Sequence, residues 1–224
     1  MIDVSNLLQA QKTLPGNYFA YDAYVSGDYE IGLIENRAGA RLIAFPKLLL
    51  EAMYIALEQE TGQASGVVLY NCGRWWGKNF YRRFAEEIKQ YYGKSIAEME
   101  MVEFSECIKQ CWKTYGWGVM DIDLSYYQQG YLVIKTTHSP FAQAAPAASN
   151  KPMCFAEAGL LSAFFTQVSG KELACVQTAC ESMGEESNYF VLGIPDRVEK
   201  AQAWLTEGQD HQTIMERLCV NQAT

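Results

Sequence analysis

The sequence has little histidine, and this scarcity limits the chemistry that the protein can perform. Only His138 and His211 occur among 224 residues, so a catalytic site centred on histidine is not favoured. The sequence also contains no Gly-x-Gly-x-x-Gly fingerprint, no P-loop and no Gly-x-Ser-x-Gly turn. Those motifs mark dinucleotide sites, phosphate sites and the nucleophile of many hydrolases. The sequence therefore gives no local support for nucleotide-dependent or hydrolytic chemistry.

Long apolar runs and clusters of positive charge are also missing. No stretch approaches the roughly 18 uninterrupted apolar residues of a membrane-spanning helix, and the N-terminus lacks the basic-then-apolar order of a signal peptide. Lysine and arginine number 18 against 26 acidic residues, which gives a net charge of -8. Nucleic-acid binding depends on clustered positive charge. We therefore expect a cytoplasmic protein that does not bind nucleic acid.

The cysteines do not form a disulfide framework. Their number, seven, is odd, and no two have the Cys-x-x-Cys spacing, which is typical of proteins from a reducing compartment. A hydrophobic content of 49% over 224 residues is enough to build the core of one globular domain.

The pattern of apolar residues predicts an α+β fold. Helical spacing covers residues 46–61, 64–92, 95–115 and 152–169, and helices also follow Pro195. Strand-like runs predict one hairpin from 18–25 and 29–36 with its turn at Gly27, a short strand at 41–45, and further antiparallel pairs from 119–126 with 131–137 and 172–180 with 188–194. We expect an antiparallel sheet with the helices packed on one side.

Residues 152–195 carry a distinctive arrangement of cysteines and glycines. Cys154 opens the predicted helix, Gly159 and Gly170 follow, Cys180 ends the next predicted strand, and Gly184 lies in the loop after it. This arrangement resembles the core of the V4R (4-vinyl reductase) domain family. The resemblance divides the chain into an N-terminal arm and β-hairpin element at 1–45, a V4R-like core at 46–195, and C-terminal helices at 196–224.

The resemblance also implies a metal site that this sequence has altered. Family members with the full set of four residues look like zinc proteins, and the matching positions here are Cys154, Gln177, Cys180 and Asn188. Gln177 replaces a glutamate and Asn188 replaces a cysteine, and neutral amides are poor zinc ligands. We therefore expect no zinc. The alternatives are a weakened zinc site, or two cysteines that act only as small buried apolar residues.

Two glycines interrupt the long helix predicted at 64–92. Gly73 and Gly77 lie one turn apart, and each costs about 1 kcal/mol relative to alanine, so they indicate that another backbone or a flat ligand approaches closely. The V4R family has a similar helix here, and its relatives use an apolar pocket between helices and sheet. We predict a pocket between the helix that carries Trp75 and Trp76 and the helix that Cys154 opens. The predicted ligand-binding residues are Gly73, Trp75, Trp76, Gly77, Phe80, Phe155, Phe164 and Phe165. The alternative is that these rings simply fill the core.

The resemblance implies a function in binding rather than catalysis. The superfamily includes a vesicle-tethering subunit and phenol-sensing transcription activators, so we expect a protein that binds a hydrophobic small molecule, with residues 138–150 as a gate. Residues 18–41 and 72–77 resemble the photosynthetic-bacterial branch of the family. This resemblance implies a tetrapyrrole ligand and a role in photosystem assembly, with photosystem II as the expected target and assembly proteins as partners. The expected location is the cytoplasm or the cytoplasmic face of the photosynthetic membrane.

Other functions stay open at this point. The family name suggests a vinyl reductase of chlorophyll synthesis, but such an enzyme needs a hydride source and the sequence shows no dinucleotide or flavin fingerprint. A protein adaptor without a ligand is the other alternative. We also expect a homodimer, formed through the Gly73/Gly77 helix or the N-terminal arm.

Overall fold

A computed structural model of the chain describes residues 16–145 and 151–220. Residues 1–15 of the N-terminal arm, residues 146–150 of the predicted gate and the last four residues lie outside the described residues. The elements in chain order are α1 (Tyr21–Tyr24), β1 (Val25–Asp28), β2 (Leu33–Asn36), β3 (Arg41–Leu42), α2 (Lys47–Thr61), α3 (Ser65–Tyr92), α4 (Met101–Thr114), β4 (Val119–Asp123), β5 (Leu132–Thr137), α5 (Pro140–Gln143), α6 (Phe155–Ser169), β6 (Ala174–Ala179), β7 (Asn188–Gly193), α7 (Pro195–Thr206) and α8 (His211–Val220).

The N-terminal hairpin differs from its prediction. The segment predicted as a first strand forms the short helix α1, the turn lies at residues 29–32, and Gly27 is inside strand β1, opposite Ile34. The reason is that Tyr18, Phe19 and Tyr24 are all buried, whereas a strand on a surface would bury alternate residues. Phe19 stacks on Phe84 with ring centroids 5.0 Å apart, so this segment belongs to the main core.

In the described part of the chain, four antiparallel strands form the central sheet in the order β4-β5-β7-β6. Strands β5 and β7 lie in the middle, with Val133 opposite Val191 and Ile134 opposite Phe190. All four of these side chains are fully buried. Since neighbouring residues of a strand point to opposite faces, both faces of the sheet must be covered.

Helices cover both faces, which corrects one part of the predicted fold. Ile134 and Phe190 belong to the main core with α3, α4 and α6, whereas Val133 and Val191 pack against α7 and α8. The α+β class and the antiparallel sheet are confirmed. The expectation of helices on one side alone is wrong because β5 and β7 are apolar on both faces.

Helices α3 and α6 pack against each other through glycines. A Cβ atom on Gly73 would overlap the carbonyl oxygen of Ala156, and one on Gly77 would overlap that of Leu160. On the other helix, a Cβ atom on Gly159 would overlap the carbonyl oxygen of Tyr70. The two backbones are therefore in direct contact. The glycines predicted that either another backbone or a flat ligand approaches closely, and in the structure the backbone of α6 does so.

The same contact removes one reason to expect a homodimer. The face of α3 that carries Gly73 and Gly77 is buried against α6 of the same chain, so it is not free for a second copy. The other expected route, the N-terminal arm, lies outside the described residues.

Candidate functional site

An aromatic cavity lies beside α3 and is lined by residues of that helix other than Gly73 and Gly77. Its volume is about 120 Å³. It is enclosed by α3, the chain around the end of α4, and the N-terminal segment. Its walls are formed by Phe19, Leu42, Trp76, Asn79, Phe80, Arg83, Phe84, Glu87, Cys111, Tyr115 and Trp117.

Trp117 is at the centre of the aromatic wall. Its ring lies 4.8 Å from Trp76 in an edge-to-face arrangement, 4.8 Å from Tyr115 in a stacked one, and 5.3 Å from Phe80. Gly116 and Gly118 flank it with φ angles of 73° and 95°, which glycine adopts readily. The Gly-Trp-Gly sequence thus turns the chain so that the Trp117 ring faces α3.

One end of the cavity is polar. The Glu87 side chain, 7% exposed, is hydrogen-bonded by Asn36 Nδ2 at 3.0 Å and by Tyr24 Oη at 3.2 Å. Tyr24 Oη is also 2.8 Å from Tyr115 Oη. Burial raises the pKa of Glu87 and raises that of Tyr115 to about 12. The result is a chain of hydrogen bonds that ends at Tyr115, on the wall of the cavity.

The structure divides the eight predicted ligand-binding residues. Trp76 and Phe80 line the cavity, whereas the Trp75 side chain is 75% exposed and does not line it. Gly73 and Gly77 contact α6. Phe164 and Phe165 are buried in the main core, and Phe155 packs over Gly66. The prediction placed the pocket between α3 and α6, but the glycines close that interface. Sequence reasoning missed Phe19, Tyr115, Trp117 and Glu87, although Gly-Trp-Gly was a usable signal.

The four positions of the altered zinc site come together. Cys154 Sγ lies 3.7 Å from Cys180 Sγ, the Cys154 amide donates to Gln177 Oε1 at 2.9 Å, and Gln177 Nε2 is 3.4 Å from Asn188 Oδ1. The helix start of α6 and the ends of β6 and β7 supply these residues. In the described residues, no three His, Cys, Asp or Glu side chains are grouped so that they could hold a metal ion.

Hydrogen bonds occupy the two amides and stabilise a thiolate. Asn188 Nδ2 donates to Glu181 Oε2 at 2.8 Å, and its Oδ1 accepts from the Glu181 amide at 2.9 Å. The hydrogen bond with Cys154 lowers the pKa of Cys180 to about 6 against the effect of burial, and Ser182, 3.0 Å away, acts in the same direction. Burial raises the pKa of Cys154. The pair therefore shares a proton at neutral pH.

A buried carboxyl group lies beside this cluster. Glu157 is fully buried, and it accepts hydrogen bonds from Ser139 Oγ at 2.9 Å and Thr136 Oγ1 at 3.3 Å. Burial raises its pKa to about 8, which these hydrogen bonds only partly offset. The folded protein therefore keeps Glu157 largely protonated at neutral pH.

The Glu157 pKa predicts a pH dependence of stability. The unfolded chain has the ordinary value of 4.5, so between pH 4.5 and 8 the folded state binds a proton that the unfolded state releases. The contribution of Glu157 to the free energy of unfolding should fall as pH rises through this interval, at a rate approaching about 1.4 kcal/mol per pH unit. Above pH 6 the lowered pKa of Cys180 acts in the opposite direction, so the effect of Glu157 is measured as the difference in slope between the unchanged protein and Glu157→Gln.

The measurement is urea unfolding at several pH values between 5 and 8. Glu185→Gln, at an exposed position, is the control and should keep the slope of the unchanged protein. An unaltered slope in Glu157→Gln would show that this carboxyl group does not titrate in the interval.

No helix in residues 16–145 or 151–220 has the length and apolar character needed to cross a membrane. A comparison with curated proteins gives no match. Among solved structures, the chain is similar to the phenol-responsive sensory domain of the transcription activator PoxR with phenol, at 14% identity and a TM-score of 0.63, covering 84% of this chain and 94% of that one.

Two further structures are more distant. A vinyl-4-reductase family protein from Methanocaldococcus jannaschii has 15% identity and a TM-score of 0.45, covering 67% and 82% of the two chains. A trafficking protein particle complex subunit 3 from Naegleria fowleri, covalently bound to palmitic acid, has 14% identity and a TM-score of 0.43, covering 66% and 96%.

The family comparison agrees with the cysteine and glycine pattern. The family model for the V4R domain matches residues 132–194, the segment that contains β5, α6, β6 and β7. All four positions of the altered zinc site fall inside the match. The similarity to the V4R domain family therefore covers residues 132–194.

Proposed function

We propose that this protein binds a small aromatic molecule that carries a hydrogen-bond donor, in the cavity around Trp117. The observation that supports this most directly is the combination of stacked and edge-on rings on the walls with a buried acceptor network at one end. Ligand sites are typically apolar concavities with a few polar groups that orient the ligand. The role is binding, with no catalytic step.

The size of the cavity favours a single ring. Its volume of about 120 Å³ is close to that of the engineered cavity of about 150 Å³ that holds benzene. A tetrapyrrole is several times larger. The pocket that the sequence predicted between α3 and α6 does not provide this room, because the backbones are in contact at Gly73 and Gly77.

The direction of the hydrogen bonds favours a donor on the ligand. In its ionised form the Glu87 carboxylate only accepts, so in that state the Tyr24 hydroxyl donates to it. Tyr24 then has no proton left, and the Tyr115 hydroxyl donates to Tyr24 across 2.8 Å. The Tyr115 oxygen keeps acceptor capacity, and a ligand hydroxyl or N–H group can use it.

The structural comparison supports the same class of ligand. The PoxR domain is described as phenol-responsive and was solved with phenol, and phenol is a single ring with a hydroxyl donor. At 14% identity the likeness concerns the fold. The choice of ligand therefore rests on the cavity of this chain.

The experiment is a fluorescence titration with phenol, its methyl ether anisole, and toluene. Trp76 and Trp117 line the cavity and should be quenched. Phenol should bind with a dissociation constant on the order of 0.1 mM, and about tenfold more tightly than anisole, because anisole cannot donate. Tyr115→Phe should remove this preference, and Leu42→Trp should fill the cavity and abolish binding.

Trp75→Phe is the matched control, because Trp75 is exposed and does not line the cavity. Its titration should follow that of the unchanged protein. Equal, non-saturating quenching by all three compounds would overturn the proposal, as would saturable binding that persists in Leu42→Trp.

The more specific roles remain predictions from the resemblance. Photosystem assembly and a tetrapyrrole ligand were inferred from residues 18–41 and 72–77. In the latter run, Cys72 and Trp75 are exposed, Gly73 and Gly77 contact α6, and Trp76 lines the cavity. An absorbance spectrum of the protein purified from its native host tests these predictions, because a bound pigment would absorb visible light. The vinyl reductase stays an alternative.

A further inference from the structure

A long groove lies beside α3 and shares no lining residue with the aromatic cavity. Its volume is about 490 Å³. Helix α3 from Lys78 to Lys89, the chain at residues 95–97, and Gln167 of α6 enclose it, and we call it the α3 groove. It is therefore a second concave surface, independent of the proposed ligand site.

Helix α3 is basic although the chain as a whole is acidic. It contains five lysine and arginine residues and two glutamates, a net charge of +3, whereas the whole chain has a net charge of -8. Lys78, Arg82 and Lys89 are exposed and line the groove. Of the two glutamates, Glu87 is buried and Glu86 lines the groove. The α3 groove is therefore a local patch of positive charge.

The three cations of the groove keep their charge for an external partner. Within residues 16–145 and 151–220, no ion pair joins Lys78, Arg82 or Lys89 to a carboxylate. The carboxylate of Glu98, next to the groove, is occupied by the Ser95 amide and hydroxyl, which both donate to its Oε2 at 2.7 Å. The groove thus presents positive charge that this chain does not neutralise.

Apolar residues complete the lining of the α3 groove, and the core holds them in place. Ile96 is buried, and the Tyr81 ring lies edge-on to Phe164 with ring centroids 5.8 Å apart. Ala85 and Ala97 have small side chains, so they leave room for larger ones from outside. A surface whose shape is fixed before binding loses little entropy when a partner docks.

We propose that the α3 groove binds an amphipathic helix of a partner protein, with acidic side chains of that helix against Lys78, Arg82 and Lys89. The cations follow one another at spacings of four and seven residues, so they share one face of α3 and span about 16 Å along it. A helix laid along α3 can present glutamate or aspartate at the same spacing. Its apolar residues then contact Tyr81 and Ala97, as in other helix-in-groove complexes.

Two features argue against an anionic lipid surface as the occupant. The cations lie along a recess between α3 and residues 95–97, which a flat bilayer does not enter. Glu86 lies among the cations and Glu98 follows Ala97, and both are exposed, so they repel anionic headgroups. A partner helix avoids this repulsion by placing a lysine beside Glu86.

The first test is fluorescence anisotropy with a fluorescein-labelled helical peptide of about five turns. One face of the peptide carries glutamates four and seven residues apart with leucines between them, and its twin has lysine in place of each glutamate. The glutamate peptide should bind the unchanged protein at least about tenfold more tightly than the lysine twin. Raising the salt from about 50 to about 500 mM should weaken its binding about tenfold, because salt screens exposed charges.

The second test reverses the charge of the groove. Lys78→Glu with Arg82→Glu should weaken binding of the glutamate peptide at least about tenfold and should make the lysine twin the preferred ligand. Arg197→Glu with Lys200→Glu is the matched control, because it makes the same change of net charge at exposed positions of α7. This control should bind the glutamate peptide as the unchanged protein does.

A third variant fills the groove and leaves its charges in place. Ala97 is exposed and lines the groove, so Ala97→Trp should occupy the space of the partner helix without disturbing the core. Binding of the glutamate peptide should be lost, with an unchanged circular dichroism spectrum. This loss distinguishes docking in the groove from attraction by charge alone.

Several outcomes would overturn the proposal. One is equal binding of the two peptides, and another is binding of the glutamate peptide that survives Ala97→Trp. Co-sedimentation with phosphatidylglycerol vesicles that is lost in the Lys78→Glu, Arg82→Glu variant, without peptide binding, would assign the groove to lipid. Self-association that is lost in the same variant would assign it to a second copy of this chain.

Discussion

Replacing Gly73 by alanine is expected to lower the free energy of unfolding by about 3 kcal/mol, or to prevent folding. The new methyl group would overlap the carbonyl oxygen of Ala156 and lie 2.9 Å from the amide nitrogen of Leu160. Both atoms belong to the backbone of α6, so they cannot rotate away as a side chain can. The two helices would have to separate along their contact, and urea unfolding measures the cost.

Gly66→Ala is the matched control on the same helix. Its Cβ atom would meet the ring of Phe155 at 3.1 Å, and a side chain can move by a few tenths of an ångström at little cost. Alanine also favours the helical state relative to glycine. This variant should unfold within about 1 kcal/mol of the unchanged protein. Equal stability of the two variants would contradict the close contact between α3 and α6.

Restoring two ligands should convert the cysteine cluster into a zinc site. Gln177→Glu with Asn188→Cys places two thiolates and a carboxylate beside Cys154 at positions that already converge. Three cysteines and a glutamate form a suitable four-ligand set. We expect one zinc per chain by elemental analysis, and a stabilisation of about 4 kcal/mol when free zinc exceeds its dissociation constant 1,000-fold.

The control carries Cys154→Ala in addition to these two substitutions. It should lose the tight zinc binding, because only three ligands remain, while each single substitution should give weak binding. Failure of the double variant to bind zinc more tightly than the unchanged protein would mean that the four side chains cannot adopt tetrahedral geometry.

Local patterns in the sequence were reliable where one segment determines the result. The helix from Ser65 to Tyr92, the hairpin of β4 and β5, and the pair of β6 and β7 were predicted within a few residues, since helical and strand periodicities are local properties. The V4R pattern located the cluster at Cys154 and Cys180 because its residues have fixed spacings. The segment at residues 18–25 was wrong, because burial of its aromatic side chains by α3 and α4 overrode its strand-like composition.

The sequence by itself determined that Gly73 and Gly77 need a close neighbour, that Gln177 and Asn188 replace ionisable ligands, and that the sheet is antiparallel. Only the tertiary structure decided which neighbour the glycines have, because a missing Cβ atom leaves space for a close contact but does not determine which group fills it. Folding also brings Phe19, Trp76 and Trp117 together from positions far apart in the chain. Local sequence patterns do not predict such long-range contacts. The tertiary structure also decided that Leu48, Leu49 and Ile55 of helix α2 are exposed. Periodicity gives the width of a stripe, and packing alone decides whether it points to the core or away from it.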